Sequence, residues 1–136
     1  PAPAPPYGAP IALADAQRLL DRALAAARAK GFRMAVAIVE PDGNLVAFAR
    51  MDDAQYGSIV VAQGKASTAA RFRRTTAAFA QALTNSPGAL SLPGVITVAG
   101  GRPILANGRI IGAIGVSGGT SAQDDVVAAE ALGETP

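Results

Sequence analysis

The sequence predicts an α+β domain with a five-stranded antiparallel sheet flanked by helices. Pro41-Asp42-Gly43 and Asn107-Gly108 are turn sequences set between apolar runs, and tight turns join antiparallel neighbours. The apolar periodicity runs helix, two strands, two helices, three strands, helix, without the strict strand and helix alternation that builds a parallel sheet. With 136 residues and no Cys, the chain reads as one domain without disulfides, long enough to bury roughly two thirds of its unfolded surface.

Residues 1–12 read as a flexible Pro- and Ala-rich tail and residues 13–136 as the single domain. Initiator-Met removal and signal cleavage both leave such a tail. It holds the secondary amine of Pro1 on a tether rather than in a pocket, so Pro1 is not read as a catalytic base. Leu13, Ala16, Leu20, Leu24 and Ala27 recur at helical spacing up to Lys30, and Gly31 stands where a C′ glycine belongs. Residues 34–40 and 44–51 read as strands around the first turn, and the first of them is apolar on both faces, which implies cover on both sides.

Residues 58–72 and 75–83 are Ala-rich and read as helices broken around Arg73 and Arg74. Residues 84–94, with Pro87, Gly88, Pro93 and Gly94, form a loop longer than usual; a lid and a plain surface crossing are both consistent with it. Residues 95–99, 104–106 and 110–117 read as strands, and residues 122–132 as the closing helix.

Composition excludes several functions. Twelve basic against ten acidic residues give a net charge of only +2, and Arg71, Arg73 and Arg74 form the one basic cluster, which reads as a solvated helix end. Nucleic acid is therefore not an expected partner. No window approaches the ~18 apolar residues of a membrane span; a cytoplasmic location is expected, with secretion left open. Half the residues are hydrophobic and only 16% are charged, so apolar surface is expected to be hidden between copies of the chain as a homo-oligomer.

The most informative stretch is glycine-rich. Gly100-Gly101-Arg102-Pro103-Ile104 is followed by Gly112-Ala113-Ile114-Gly115-Val116-Ser117-Gly118-Gly119, and then Thr120 with Gln123 and Ser121 with Asp124 both have capping-box spacing. A buried strand thus passes into a helix through a Gly-Gly turn. Amides left uncovered at Gly118 and Gly119, beside the positive end of a helix, suit a carboxylate, phosphate or propionate. Close packing of a helix explains Gly112 and Gly115 equally well. Only 17 residues follow Gly119, which rules out a dinucleotide fingerprint, and Gly64-Lys65-Ala66 lacks the other residues of a P-loop.

On these residues the chain resembles the GlcG/HbpS family, also found as the C-terminal domain of PduO-type proteins. The resemblance runs from about Leu13 to Leu132. It rests on the opening helix, the Ala37-Ile38-Val39-Glu40-Pro41-Asp42-Gly43-Asn44-Leu45 hairpin, Phe48-Ala49-Arg50-Met51-Asp52, Gly64-Lys65-Ala66-Ser67-Thr68-Ala69 and the glycine-rich block with Gln123-Asp124. It implies a profilin-like fold, higher oligomers such as octamers, and in some members binding of haem or another small ligand. This chain departs from the usual ligand set of haem iron. It has no His or Cys, only Met34 and Met51, and only Tyr7 and Tyr56. Met34 opens a core strand and Tyr7 lies in the tail, which leaves Tyr56, Met51, Lys65 or a hydroxyl such as Thr68 as iron donors. No acidic residue has another three positions on, so the iron-binding Asp/Glu-x-x-Glu spacing is missing.

The leading expectation is an oligomeric protein that binds a small anionic or planar ligand, with haem as the suggested cofactor, in a cleft formed by Lys65, Thr68, Gly100, Gly101, Gly118, Gly119 and Thr120. Lys65 lies on an apolar helix face and needs a partner, for which a ligand and a salt bridge to Glu40 or Asp52 are both considered. The alternative is an enzyme acting on a small carboxylate or hydroxy-acid, with Lys65 or Asp124 as acid/base and the Gly-Gly backbone as oxyanion site. A structural oligomer without ligand is the third reading. Missing His and Cys exclude nucleophilic triads and zinc hydrolysis, and no metal site is expected. Asp52-Asp53 and Asp124-Asp125 are carboxylate pairs, and Arg50 and Arg102 are candidate carboxylate clamps.

Overall fold

The computed structural model describes residues 3–136. The elements are α1 (Leu13–Ala29), β1 (Ala35–Val39), β2 (Leu45–Arg50), α2 (Ser58–Phe72), α3 (Thr76–Ala82), a 3-10 turn (Pro87–Ser91), β3 (Gly101–Ala106), β4 (Arg109–Ser117) and α4 (Ser121–Leu132). Pro1 and Ala2, and with them the reading of the Pro1 amine, lie outside the described residues.

Local signals end the elements much as their residue types dictate. After α1 the amide of Phe32 donates to Ala27 and that of Gly31 to Arg28, the double bond of a Schellman motif. At the second turn Asn107 (φ +52°) and Gly108 (φ +75°) are both left-handed, the I′ geometry that matches strand twist. Ala106 accordingly pairs with Arg109. Thr120 caps α4, and Gln123 reaches back to complete the capping box.

The sheet has four strands in the order β2-β1-β4-β3, all neighbours antiparallel. Five were expected, and residues 95–99 do not form the fifth. The amide of Ile96 donates to Thr68 Oγ1 of α2 rather than to a strand, and the Ile96 side chain lies against Gly64. Tertiary contact with α2 overrides the β propensity of this Val- and Ile-rich run.

Helices cover both faces, as the two-sided apolar β1 requires. On one face α1 and α4 pack over Val36, Ile38, Ile114 and Val116. On the other, Ala62, Ala66, Ala69 and Ala70 of α2 lie on Ala35, Ala37, Val39 and Ala113. The second layer is made of small residues because α2 approaches the sheet closely: a Cβ on Gly115 would sit 2.0 Å from the Ala62 carbonyl oxygen.

The N-terminal segment also departs from expectation. It is not a free tail up to residue 12. Pro6 accepts from Ile110, Gly8 donates to Ile110 and Ile11 to Ile111, while the Tyr7 hydroxyl donates to the Ala70 carbonyl. Ile11 is buried in the core, so the pattern of alternating Pro and Ala hides an apolar anchor at its end.

Candidate functional site

The fold gathers most residues of the expected cleft. Lys65, midway along α2, points at the junction of β4 and α4, where its ammonium donates to Asp124 Oδ2 at 2.7 Å and to the Val116 carbonyl at 3.0 Å. Lys65 is 2% and Asp124 3% exposed. Gly100 and Gly101 lie against this pair; a Cβ on Gly100 would meet Lys65 Nζ at 2.9 Å, and one on Gly101 the Lys65 carbonyl oxygen at 2.4 Å.

What these residues form is a packed polar core rather than a cleft. The amide of Gly119 is not bare, because it donates to Asp124 Oδ1 at 2.9 Å. Thr120 donates its amide to Gln123 and its hydroxyl caps the helix. The anion at the start of α4 is thus the protein's own carboxylate, which takes the place expected for a ligand. Gly118 passes so close to Arg33 and Met34 that a Cβ would lie 2.3 Å from the Arg33 carbonyl oxygen. Thr68 is buried, with its hydroxyl between Ile96 and Gly94.

Lys65 therefore pairs with Asp124, not with Glu40 or Asp52, across 59 positions of sequence. Burial pushes the Asp124 carboxyl above its ordinary value, against the opposing pull of Lys65 and the glycine amides. Arg102 is likewise occupied. It grips Asp125 through two hydrogen bonds and reaches Glu134, and Asp125 above all holds its guanidinium above the ordinary range. This fork ties β3 to α4 and the C-terminal residues.

Of the two candidate carboxylate clamps, Arg50 has a different setting. Arg50 and Ala49 of β2, with Met51 and Asp52 beyond it, form one wall of a groove of about 500 Å³. Leu24 and Arg28 of α1, and Gly31, Phe32 and Arg33 after it, form the other. Arg28, Arg33 and Arg50 thus all border an open groove with a partly apolar lining, but the pairing of Arg50 with Ala35 turns its side chain to the α2 face of the sheet. Arg33 bonds Asp53 and the Asp52 carbonyl through Nη1, and Arg50 bonds the Ala54 carbonyl through Nη1 while lying 4.9 Å above the Tyr56 ring. Each has donors left over, since a guanidinium carries five. Sequence reasoning found Arg50 but missed Arg28 and Arg33. Their signal was a basic residue on either side of a helix-ending glycine.

The residues present do not fit ligation of haem iron. Met34 is fully buried, and the Met51 sulfur accepts the Met34 amide. The Tyr7 hydroxyl is bonded to Ala70, the Lys65 ammonium to Asp124, and the Thr68 hydroxyl accepts from Ile96. Tyr56 alone offers an open phenol, and at 78% exposure it has no enclosing wall.

Comparison with known proteins agrees with this fold. The chain is 36% identical to Protein GlcG of Escherichia coli K12 over 92 residues, 67% of this chain and 69% of that one. A double mutant of HbpS from Streptomyces reticuli is similar in structure with a TM-score of 0.88 at 30% identity, covering 98% of this chain and 97% of that one. The structure described as a PduOC:heme complex has a TM-score of 0.84 at 26% identity, covering 91% and 94%. The family described as "Haem degrading protein HbpS-like" matches residues 11–133. With nearly its whole length accounted for in this way, the chain belongs to the HbpS-like family.

Proposed function

We propose that this protein binds a small planar ligand bearing carboxylates, of the haem class, in the groove between α1 and β2. One observation carries the reading: Arg28 and Arg33 border a groove whose lining includes Leu24, Phe32 and Met51. Its volume lies within the ~300–1,000 Å³ of small-molecule sites, and an apolar floor with a few charged groups at its rim is their usual makeup. The haem complex of the PduOC relative supports the class of ligand. Acid/base chemistry at Lys65 and Asp124 lacks comparable support, because both groups are buried and bonded to each other.

Titration with hemin, followed by the Soret band, tests the reading. Saturable binding is expected, weakened about tenfold or more by Arg28→Ala with Arg33→Ala, as for loss of charge-assisted hydrogen bonds. Absence of a spectral change, or full affinity in the arginine variant, would overturn it.

The same reading includes a homo-oligomer, with an octamer as the assembly that the resemblance implies. Exposed Tyr56 just before α2 and Val60 in its first turn, and Leu45 and Leu105 on the two edge strands, support it. Light scattering coupled to size exclusion should give a multiple of the chain mass, and a monomer at all concentrations would remove this part.

A further inference from the structure

We infer that the groove recognises its ligand by carboxylates and ring face alone, so that metal-free porphyrin binds as well as the iron form. This rests on the proposed function and specifies its ligand class further. The donors and the cations of this chain are differently placed. Every candidate iron donor except Tyr56 is already committed: Met51 to the Met34 amide, Tyr7 to the Ala70 carbonyl, Lys65 to Asp124 and Thr68 to Ile96, while Met34 is sealed in β1. Freeing any of them costs an existing hydrogen bond, for which a single weak ligand gives little return.

The guanidiniums are in the opposite condition. The Arg28 guanidinium has no hydrogen bond or ion pair among the described residues, and Arg33 engages protein partners only through Nη1. Arg28 and Arg33 stand beside Asp52 and Asp53, of which Asp53 is paired with Arg33. The Arg28 fork and the spare donors of Arg33 offer two places for carboxylates, which guanidinium forks suit. Recognition thus resides at the ligand's edge, and the metal at its centre makes no bond to the chain.

The test compares hemin with metal-free protoporphyrin IX and its dimethyl ester on the intact protein. Hemin and protoporphyrin should bind within about threefold of each other, and the ester at least about tenfold more weakly. Met51→Leu and Tyr56→Phe should leave the hemin Soret position unchanged. Hemin binding more than about tenfold tighter than protoporphyrin, or a Soret shift in either variant, would overturn the inference and leave the haem-class reading intact. An ester that binds as well as the free acid would also overturn it. If neither porphyrin binds, the reading on which it rests fails as well.

Discussion

Lys65 Nζ and Asp124 Oδ2 lie 2.7 Å apart in the interior, joining the middle of α2 to the first turn of α4. The pair occupies the place where the glycine pattern suggests a ligand. Its energetics differ from those of a binding site, because two desolvated charges gain from each other only about what burial costs them.

Breaking the pair from one side should therefore be far more damaging than replacing both partners. Asp124→Ala strands a buried ammonium and is expected to cost about 3–5 kcal/mol, whereas Lys65→Met with Asp124→Leu should recover most of that. Urea unfolding of the three proteins measures it. Additive losses in the double variant would show that the pair itself is a major source of stability.

The pH response of this group has a definite sign. Because burial raises the Asp124 carboxyl above 3.8, the folded chain holds that proton to higher pH than the unfolded one. Its contribution to stability is full below the ordinary value and falls as pH rises through the raised one. Relative to Asp124→Asn, the parent chain should lose stability going up from pH 3.8, as read by denaturant midpoints. A relative gain over that interval would mean that Lys65 and the amides outweigh burial.

Close approach of α2 to the sheet gives a second stability prediction. A methyl at Gly115 would overlap the Ala62 carbonyl oxygen and the Ala66 amide unless the backbone shifts, and backbone on both sides leaves little to yield. A loss of about 1–3 kcal/mol is expected, as for overpacking elsewhere. Thermal unfolding that is unchanged in the variant would contradict the packing.

Much of the fold was legible because its signals are local. Gly31, Asn107-Gly108 and the Thr120 with Gln123 box each act within a few residues, and each ends or turns its element as its chemistry requires. Residues 95–99 were not legible, since their strand character is overridden by Thr68 and Gly64 about thirty positions away. The same holds for Tyr7 and Ile11, whose anchors are Ala70 and Ile111. The candidate site suffered most. Sequence could show that Lys65 needs a partner but not that Asp124 supplies it, and nothing local distinguishes Arg28 and Arg33 from solvated surface charges.

The Thr120 cap separates the two locations of the site. Thr120→Ala removes the bond to the Gln123 amide and should cost about 1 kcal/mol. Ligand affinity should be unaffected, because the groove lies between α1 and β2. A parallel drop in hemin affinity would return the site to the glycine junction.

The most direct test of the account is where a ligand touches the chain. Backbone amide chemical shifts recorded during titration with metal-free protoporphyrin IX should move at residues 24–33 and 49–52. Shifts centred instead on residues 118–123, with the groove silent, would contradict it.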